Sequence, residues 1–170
     1  DGNSKNSKEL HFVVTGHDDG SLQLRRVDTW DLVGTYRGHS GRVEALAVDS
    51  KGHRIVSISN SDHFMRVWST NLSNMTDIDT TGRMHTGPVT SIGTSEDGST
   101  VVSCSEDDKN LLVWDVRTGL CRRTLTLPSI GYAQQIAVSP DGEWVVCGWA
   151  GPGRDCHVTV WHQSGVCCTV

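Results

Sequence analysis

The chain alternates short runs of apolar and polar residues with tight turns that contain glycine. Such runs precede turns at residues 49–52, 95–98 and 139–142, and a second apolar run follows each turn. Alternation with a period of two is typical of a β-strand, and glycine tolerates the positive φ that tight hairpin turns require. The pattern therefore predicts a series of antiparallel hairpins.

Three of the alternating runs end in a tryptophan, and the spacing between these tryptophans is nearly constant. The three residues are Trp68, Trp114 and Trp161. An aspartate precedes each of them by six residues, at Asp62, Asp108 and Asp155. The same frame extends back to Asp19 and Arg25, where arginine replaces the tryptophan. The tryptophans are 46 and 47 residues apart. A repeat of about this length with several short strands per unit is typical of the blades of a β-propeller.

The repeat divides the chain into four units that together predict an all-β fold. We expect blades at about residues 10–37, 38–84, 85–128 and 129–170, after a disordered or truncated N-terminal segment at residues 1–9. The first unit supplies three predicted strands, at residues 12–15, 21–26 and 31–36. Each later unit supplies four, and the last strand covers residues 166–170.

Several motifs in register resemble those of the WD-repeat β-propellers. They are Gly38-His39 at the front of a unit, the Ser-x-Asp-Gly turns at 95–98 and 139–142, and Val113-Trp114-Asp115 at its close. The match covers nearly the whole chain. The resemblance implies blades of four antiparallel strands arranged radially around a channel, in a ring of about seven blades. We therefore expect the chain to form part of a larger ring, with a closed four-bladed ring as the alternative.

Composition narrows the classes of function. The 170 residues carry a net charge of −5 and contain no basic block, so the sequence gives no signal for nucleic-acid binding. The apolar stretches have the length of strands, which predicts no membrane span. The six cysteines form no C-x-x-C motif, so we interpret them as small buried hydrophobic residues. Free thiols favour a reducing intracellular compartment, cytoplasmic or nuclear, although two glycosylation triplets begin at Asn71 and Asn74.

Serine, histidine and aspartate recur together in a way that first suggests a catalytic triad. The second unit carries His39, Ser57, Asp62 and Trp68, and the third repeats them as His85, Ser103, Asp108 and Trp114. A triad is needed once, whereas this set recurs with the blades, so we predict a structural role, no catalytic residue, no metal and no cofactor.

The WD-repeat resemblance implies that each set forms a hydrogen-bonded chain from the indole to the carboxylate. In the third unit the doubled acids leave Asp107 and Asp108 as alternative partners. In the fourth unit Ser129 stands where histidine is expected and Cys147 where serine is expected. We therefore expect complete chains only in the second and third units.

The resemblance also implies partner-binding positions on the top face, three and five residues after the repeat histidine and just before the turn aspartate. These positions are Arg42, Glu44, Ser61, Pro88, Thr90, Asp107, Tyr132, Gln134 and Arg154, with Asp18 equivalent in the first unit. They differ between units, as a surface for asymmetric protein or peptide partners requires. Trp149 is either an exposed anchor or a cover for a loop.

The expected function is a non-catalytic interaction scaffold within a multiprotein complex. One alternative is a substrate receptor of a cullin-4 type ubiquitin ligase, because residues 114–117 match the WD-x-R box of such receptors, with Arg117 as the docking arginine. A second is an accessory sensor domain of a larger signalling protein or ATPase. A hydrolase is the least favoured alternative, since no unrepeated constellation of catalytic side chains is present.

Overall fold

The computed structural model of the protein describes residues 11–62, 64–70, 85–127, 131–151, 153, 155–165 and 167–169. In these residues the chain forms fourteen β-strands and no helix. The strands are β1 (Phe12–Gly16), β2 (Ser21–Arg26), β3 (Leu32–Arg37), β4 (Ala45–Val48), β5 (Arg54–Ser59), β6 (Phe64–Ser69), β7 (Val89–Thr94), β8 (Thr100–Ser105), β9 (Asn110–Asp115), β10 (Leu120–Thr126), β11 (Tyr132–Val138), β12 (Trp144–Ala150), β13 (Cys156–His162) and β14 (Cys167–Thr169). The predicted N-terminal segment and the predicted fourth strand of the second unit lie outside the described residues.

The strands form four sheets in which neighbours along the chain are neighbours in space. The first sheet has the order β1-β2-β3 and the second β4-β5-β6, while the third contains β7 to β10 and the fourth β11 to β14. Every pairing is antiparallel. The all-β prediction of consecutive antiparallel blades is thereby confirmed. The described residues contain no helix long and apolar enough to cross a membrane.

The glycine turns have the backbone geometry that the sequence predicts. Gly52, Gly98 and Gly142 adopt φ values of 66°, 65° and 74°. Each of these glycines donates its N–H to the carbonyl three residues earlier, over 2.9 to 3.0 Å. The positive φ is strained for a side chain with a Cβ atom, which is why glycine recurs at this position.

These turns also bind one another from sheet to sheet. The amide and the hydroxyl of Ser50 both donate to the carbonyl of Glu96, over 3.2 and 2.7 Å. Glu96 in turn donates its amide to the carbonyl of Pro140 over 2.9 Å. A Cβ on Gly98 would lie 2.7 Å from the Cβ of Asp49, so the contact between these turns requires glycine. The turns of sheets two to four therefore form a continuous hydrogen-bonded row, which we call the bottom edge.

Among the described residues the core consists of three apolar clusters, one at each junction between consecutive sheets. Side-chain alternation sends adjacent residues of one strand into different clusters. Val101 and Leu112 pack against the second sheet, whereas Val102 and Leu111 pack towards the fourth. The two central strands of the third sheet, β8 and β9, are consequently buried on both faces. The remaining cluster joins the first and second sheets around Trp68.

The prediction that all cysteines are buried hydrophobic residues is wrong for two of them. Cys104 and Cys147 have no exposed surface and lie in the cluster between the third and fourth sheets. Cys156 and Cys168, by contrast, are exposed. They belong to strands of the fourth sheet, and their side chains are not covered by another described sheet.

The docking between turns can be measured with two alanine substitutions. Gly52 and Gly98 share a φ of about +65°, but a Cβ on Gly52 would meet nothing within 4 Å. We expect Gly52→Ala to cost about 1 to 2 kcal/mol from backbone strain alone. Gly98→Ala should cost about 1 to 3 kcal/mol more, because Asp49 must move. Urea denaturation would measure both, and equal losses would contradict the role assigned to the contact.

Candidate functional site

A chain of buried hydrogen bonds links β5 and β6 of the second sheet to the segment that precedes β4. The indole of Trp68 donates to the hydroxyl of Ser57 over 2.8 Å, and that hydroxyl lies 2.8 Å from Nε2 of His39. Nδ1 of His39 lies 2.9 Å from Oδ2 of Asp62. Since an ionised carboxylate only accepts, Nδ1 carries the proton, and Nε2 of a neutral ring accepts the hydroxyl proton of Ser57. Every member of the chain then has a partner.

The third sheet repeats this arrangement. Trp114 donates to the hydroxyl of Ser103 over 2.9 Å, and that hydroxyl lies 2.8 Å from Nε2 of His85. Nδ1 of His85 lies 2.7 Å from Oδ2 of Asp108. Asp108 is therefore the partner of the histidine, while Asp107 is exposed beside it.

Burial and hydrogen bonding set the charge states in these chains. Burial acts to raise the pKa of Asp62 and Asp108, but backbone amides and the neighbouring histidines, together with the Thr86 hydroxyl at Asp108, outweigh it and lower both pKa values. Burial lowers the pKa of His85, although Asp108 opposes this shift. The third-sheet chain therefore contains a neutral imidazole bonded to an ionised carboxylate.

The buried serines are not placed for nucleophilic catalysis. Ser57 and Ser103 have no exposed surface, so a substrate carbonyl has no access to either hydroxyl. Each hydroxyl is also held between an indole and an imidazole. Within the described ranges, no group of three or more histidine, cysteine or acidic side chains is arranged to hold a metal ion.

The two hydrogen-bonded chains hold turns at one edge of the sheets, which we call the top edge. Asp62 lies in the turn between β5 and β6 and also accepts the amide of Ser40 over 3.1 Å. Asp108 lies in the β8–β9 turn and accepts the amide of Thr86 over 3.0 Å. Each carboxylate thus ties its turn to the segment that leads into the first strand of the same sheet. The top edge is opposite the bottom edge.

The structure brings eight of the nine predicted partner-binding residues to the top edge, and all eight are exposed. They are Arg42, Glu44, Ser61, Pro88, Thr90, Asp107, Tyr132 and Gln134. The ninth, Arg154, lies outside the described residues. Asp18 of the first sheet is also exposed at this edge, where its carboxylate lies 3.5 Å from the guanidinium of Arg42.

Contacts between neighbouring sheets hold this edge together. The hydroxyl of Thr90 donates to the carbonyl of Ala133 over 3.0 Å, and the amide of Val89 donates to Oδ1 of Asn60 over 3.1 Å. Thr90 therefore has a structural bond in addition to its exposed surface. The second, third and fourth sheets are joined at the point where their exposed side chains meet.

Two glycines that the sequence reasoning missed shape the same edge. A Cβ on Gly41 would lie 2.4 Å from Oγ of Ser61, and a Cβ on Gly87 would lie 2.5 Å from the Cβ of Asp107. Ser61 and Asp107 therefore rest on equivalent glycines. The signal was present in the sequence, because each glycine follows a repeat histidine by two residues.

The charges at the top edge are mixed and accessible. The guanidinium of Arg42 lies 3.5 Å from Asp18 and 3.6 Å from Glu44, and its side chain is 66% exposed. Ion pairs of this kind contribute at most about 1 kcal/mol in water. Arg42 can exchange them for a carboxylate on another protein at little cost.

The fourth sheet replaces the serine–histidine chain with a different set of contacts. Trp149 is buried, and its indole donates to the hydroxyl of Thr159 over 2.9 Å. Its ring stacks on His157 with 4.5 Å between centroids. The alternative that Trp149 is an exposed anchor is therefore wrong. Cys147 is buried at the position that serine occupies in the second and third sheets.

Arg117 lies on a braced turn at the bottom edge. Asp115 is buried and accepts the amides of Arg117 and Thr118 over 2.8 and 3.1 Å, and it also binds the guanidinium of Arg122. Burial tends to raise the pKa of Asp115, but these donors together lower it, so the carboxylate stays ionised. The side chain of Arg117 is exposed.

Sequence comparison agrees with this architecture. The family model described as WD domain, G-beta repeat matches residues 30–69, 79–115 and 121–168. These ranges cover well over half of the chain, which therefore belongs to the WD-repeat family. Domains of this family generally mediate protein–protein interactions and are generally non-catalytic. A comparison with curated proteins finds no match.

The buried chain of the third sheet can be tested with two serines of β8. Ser103 and Ser105 are both fully buried, but among the described residues the hydroxyl of Ser105 accepts a single long bond, 3.3 Å from the amide of Asp107. Ser103→Ala leaves an indole and an imidazole without a partner, so we expect a loss of roughly 3 kcal/mol. Ser105→Ala should cost about 1 kcal/mol. Urea denaturation decides, and equal losses would contradict the proposed energetics.

Acid should destabilise the protein through the same chain. Because the pKa of His85 is lowered from 6.5 on folding, the unfolded chain binds more protons below pH 6.5. The lowered pKa of Asp108 acts in the same direction at lower pH. We expect the melting temperature to be highest above pH 6.5, to fall with decreasing pH, and to fall less in His85→Gln. Identical pH slopes for the two proteins would refute this.

Proposed function

We propose that the top edge is a binding surface for protein or peptide partners and that the protein acts as a non-catalytic scaffold in a multiprotein complex. The observation that carries this proposal is the contrast between two layers. The buried chains beneath the edge repeat from the second sheet to the third, whereas the exposed side chains above them differ from sheet to sheet. A surface that reads an asymmetric partner needs such variation on a constant support.

The hydrogen bonds beneath these side chains indicate that the top edge holds them on a rigid backbone. In the second and third sheets the top-edge turn is anchored by a carboxylate that binds both an imidazole and a backbone amide. Side chains on a preorganised backbone lose less conformational entropy when a partner binds. The scaffold would then select partners by its side chains without large rearrangement.

Tyr132 and Arg42 are the strongest candidates for contact residues. Tyr132 is 51% exposed at the start of β11, and Arg42 is exposed with only weak ion pairs. Tyrosine and arginine are enriched among the residues that dominate binding energy at interfaces. Arg154 stays a prediction for the same surface, as do the larger ring and an intracellular location.

A second candidate function uses the opposite edge. Arg117 is exposed on a turn that is braced by the buried Asp115, and residues 114–117 match the WD-x-R box. We propose docking to the adaptor of cullin-4 ubiquitin ligases as the alternative role. A fixed turn with an exposed arginine is suited to docking on another protein.

Affinity capture from cells that express the protein tests the top edge. We expect the double variant Arg42→Glu/Tyr132→Ala to stay folded and to lose the partners that the wild type retains. Trp144→Ala is the matched control, because Trp144 is 47% exposed at the opposite end of the same sheet. Partners that persist with the double variant, or disappear equally with the control, would refute the assignment.

The same capture includes an Arg117→Ala arm. Loss of the cullin-4 adaptor from this arm alone would support the ligase role. If the adaptor is recovered equally with wild type and variant, or with neither, the ligase role is wrong and the top-edge proposal is unaffected.

A further inference from the structure

A small groove opens between the third and fourth sheets, near the bottom edge. Its volume is about 160 Å³. The floor is apolar and is formed by Val113, Leu125, Val145 and Trp161. Exposed polar residues form the rim, among them Arg122, Glu143 and Gln163, so the groove is open to solvent. It lies at the opposite edge from Tyr132 and Arg42.

The size of this groove suits one side chain. An apolar protein cavity of about 150 Å³ is large enough to bind benzene. A volume of about 160 Å³ over an apolar floor therefore fits an aromatic ring or a branched aliphatic group, and it is too small for a folded partner to enter. An extended peptide that inserts one bulky residue matches these dimensions.

The charged residues around the rim differ in whether they have a partner of opposite charge. Arg122 binds the carboxylate of Asp115, and Glu143 lies 3.5 Å from His162. Arg123 is half-buried and donates to the carbonyl of Gln163, but no ion pair with a carboxylate involves it in the described part of the chain. The guanidinium of Arg123 is thus a cation beside an apolar floor, and no described carboxylate compensates its charge.

We propose that this groove is a second binding site, which takes a peptide segment with an aromatic or branched aliphatic side chain next to a carboxylate. The apolar side chain would occupy the floor against Trp161, and the carboxylate would pair with Arg123. A planar guanidinium binds carboxylate with two parallel hydrogen bonds, which favours an acidic peptide over a basic one. The site is independent of the proposed top-edge function.

Nuclear magnetic resonance of the full chain tests this directly, because the indole N–H of Trp161 gives a signal within the groove. The probe is acetyl-Glu-Phe-Glu-amide. We expect a saturable shift of the Trp161 signal with a Kd of about 1 mM. Acetyl-Lys-Phe-Lys-amide tests the charge and acetyl-Glu-Ala-Glu-amide tests the ring, and both should bind at least about tenfold more weakly.

Variants separate the role of Arg123 from that of net charge. Arg123→Gln should weaken binding of the acidic probe about tenfold, and Arg123→Lys should weaken it less. Lys51→Gln removes the same charge from a turn outside the groove and should leave binding unchanged.

Three results would overturn the proposal. They are the absence of a saturable Trp161 shift with the acidic probe, equal binding of the basic probe, and wild-type affinity in Arg123→Gln. The first two need only the wild-type chain, so they remain decisive if a variant fails to fold. None of them alters the capture experiment on Arg42 and Tyr132.

Discussion

Burial of a sheet on both of its faces is the constraint on which the rest of this structure depends. In the third sheet, Val101 and Val102 are adjacent in the chain, yet they lie in different apolar clusters. The central strands β8 and β9 of this sheet expose little except their ends, whereas its outer strand β10 carries exposed side chains. The side chains available to other molecules are therefore confined to the top edge, the bottom edge and the outer strands, and functional residues must be sought there.

The same constraint explains the buried hydrogen-bonded chains. An indole inside a stack of sheets cannot reach water, so its N–H needs a partner within the protein. In the second and third sheets a serine supplies this partner, a histidine satisfies the serine, and an aspartate in a turn satisfies the histidine. Each residue of the chain thus satisfies the hydrogen-bonding group of the residue before it, and the last one, the aspartate, holds a turn at the surface. Core stability and the shape of the top edge are thus linked by one network.

The two edges offer different chemistry. The top edge presents separate exposed side chains of mixed charge, including the pair of Arg42 with Asp18. The groove near the bottom edge combines an apolar floor with Arg123, whose positive charge has no carboxylate partner among the described residues. A broad, variable surface suits a folded partner or a long peptide, whereas a pocket for one side chain suits a short motif. The two proposed sites lie at opposite edges, so binding at one would not compete with binding at the other.

The sequence by itself determined the strands, the turns and the repeat, because these depend on local rules. Alternation of apolar residues sets the strands, positive φ selects glycine at positions 52, 98 and 142, and the recurring tryptophans mark the units. The recurrence of the serine–histidine sets also predicted a structural role for them instead of a catalytic triad.

Only the tertiary structure decided the features that depend on which side chains meet across sheets. Asp108 and Asp107 are equivalent in local pattern, and the position of His85 selects between them. Trp149 is buried because its indole donates to Thr159 and its ring stacks on His157. Cys156 is exposed because no described sheet covers it. The groove beside Arg123 is formed by residues of two sheets, and two of them, Arg123 and Gln163, are 40 positions apart in the chain. Periodicity reports which face of a strand is apolar, but the packing of one sheet on the next determines which apolar and polar groups share a space.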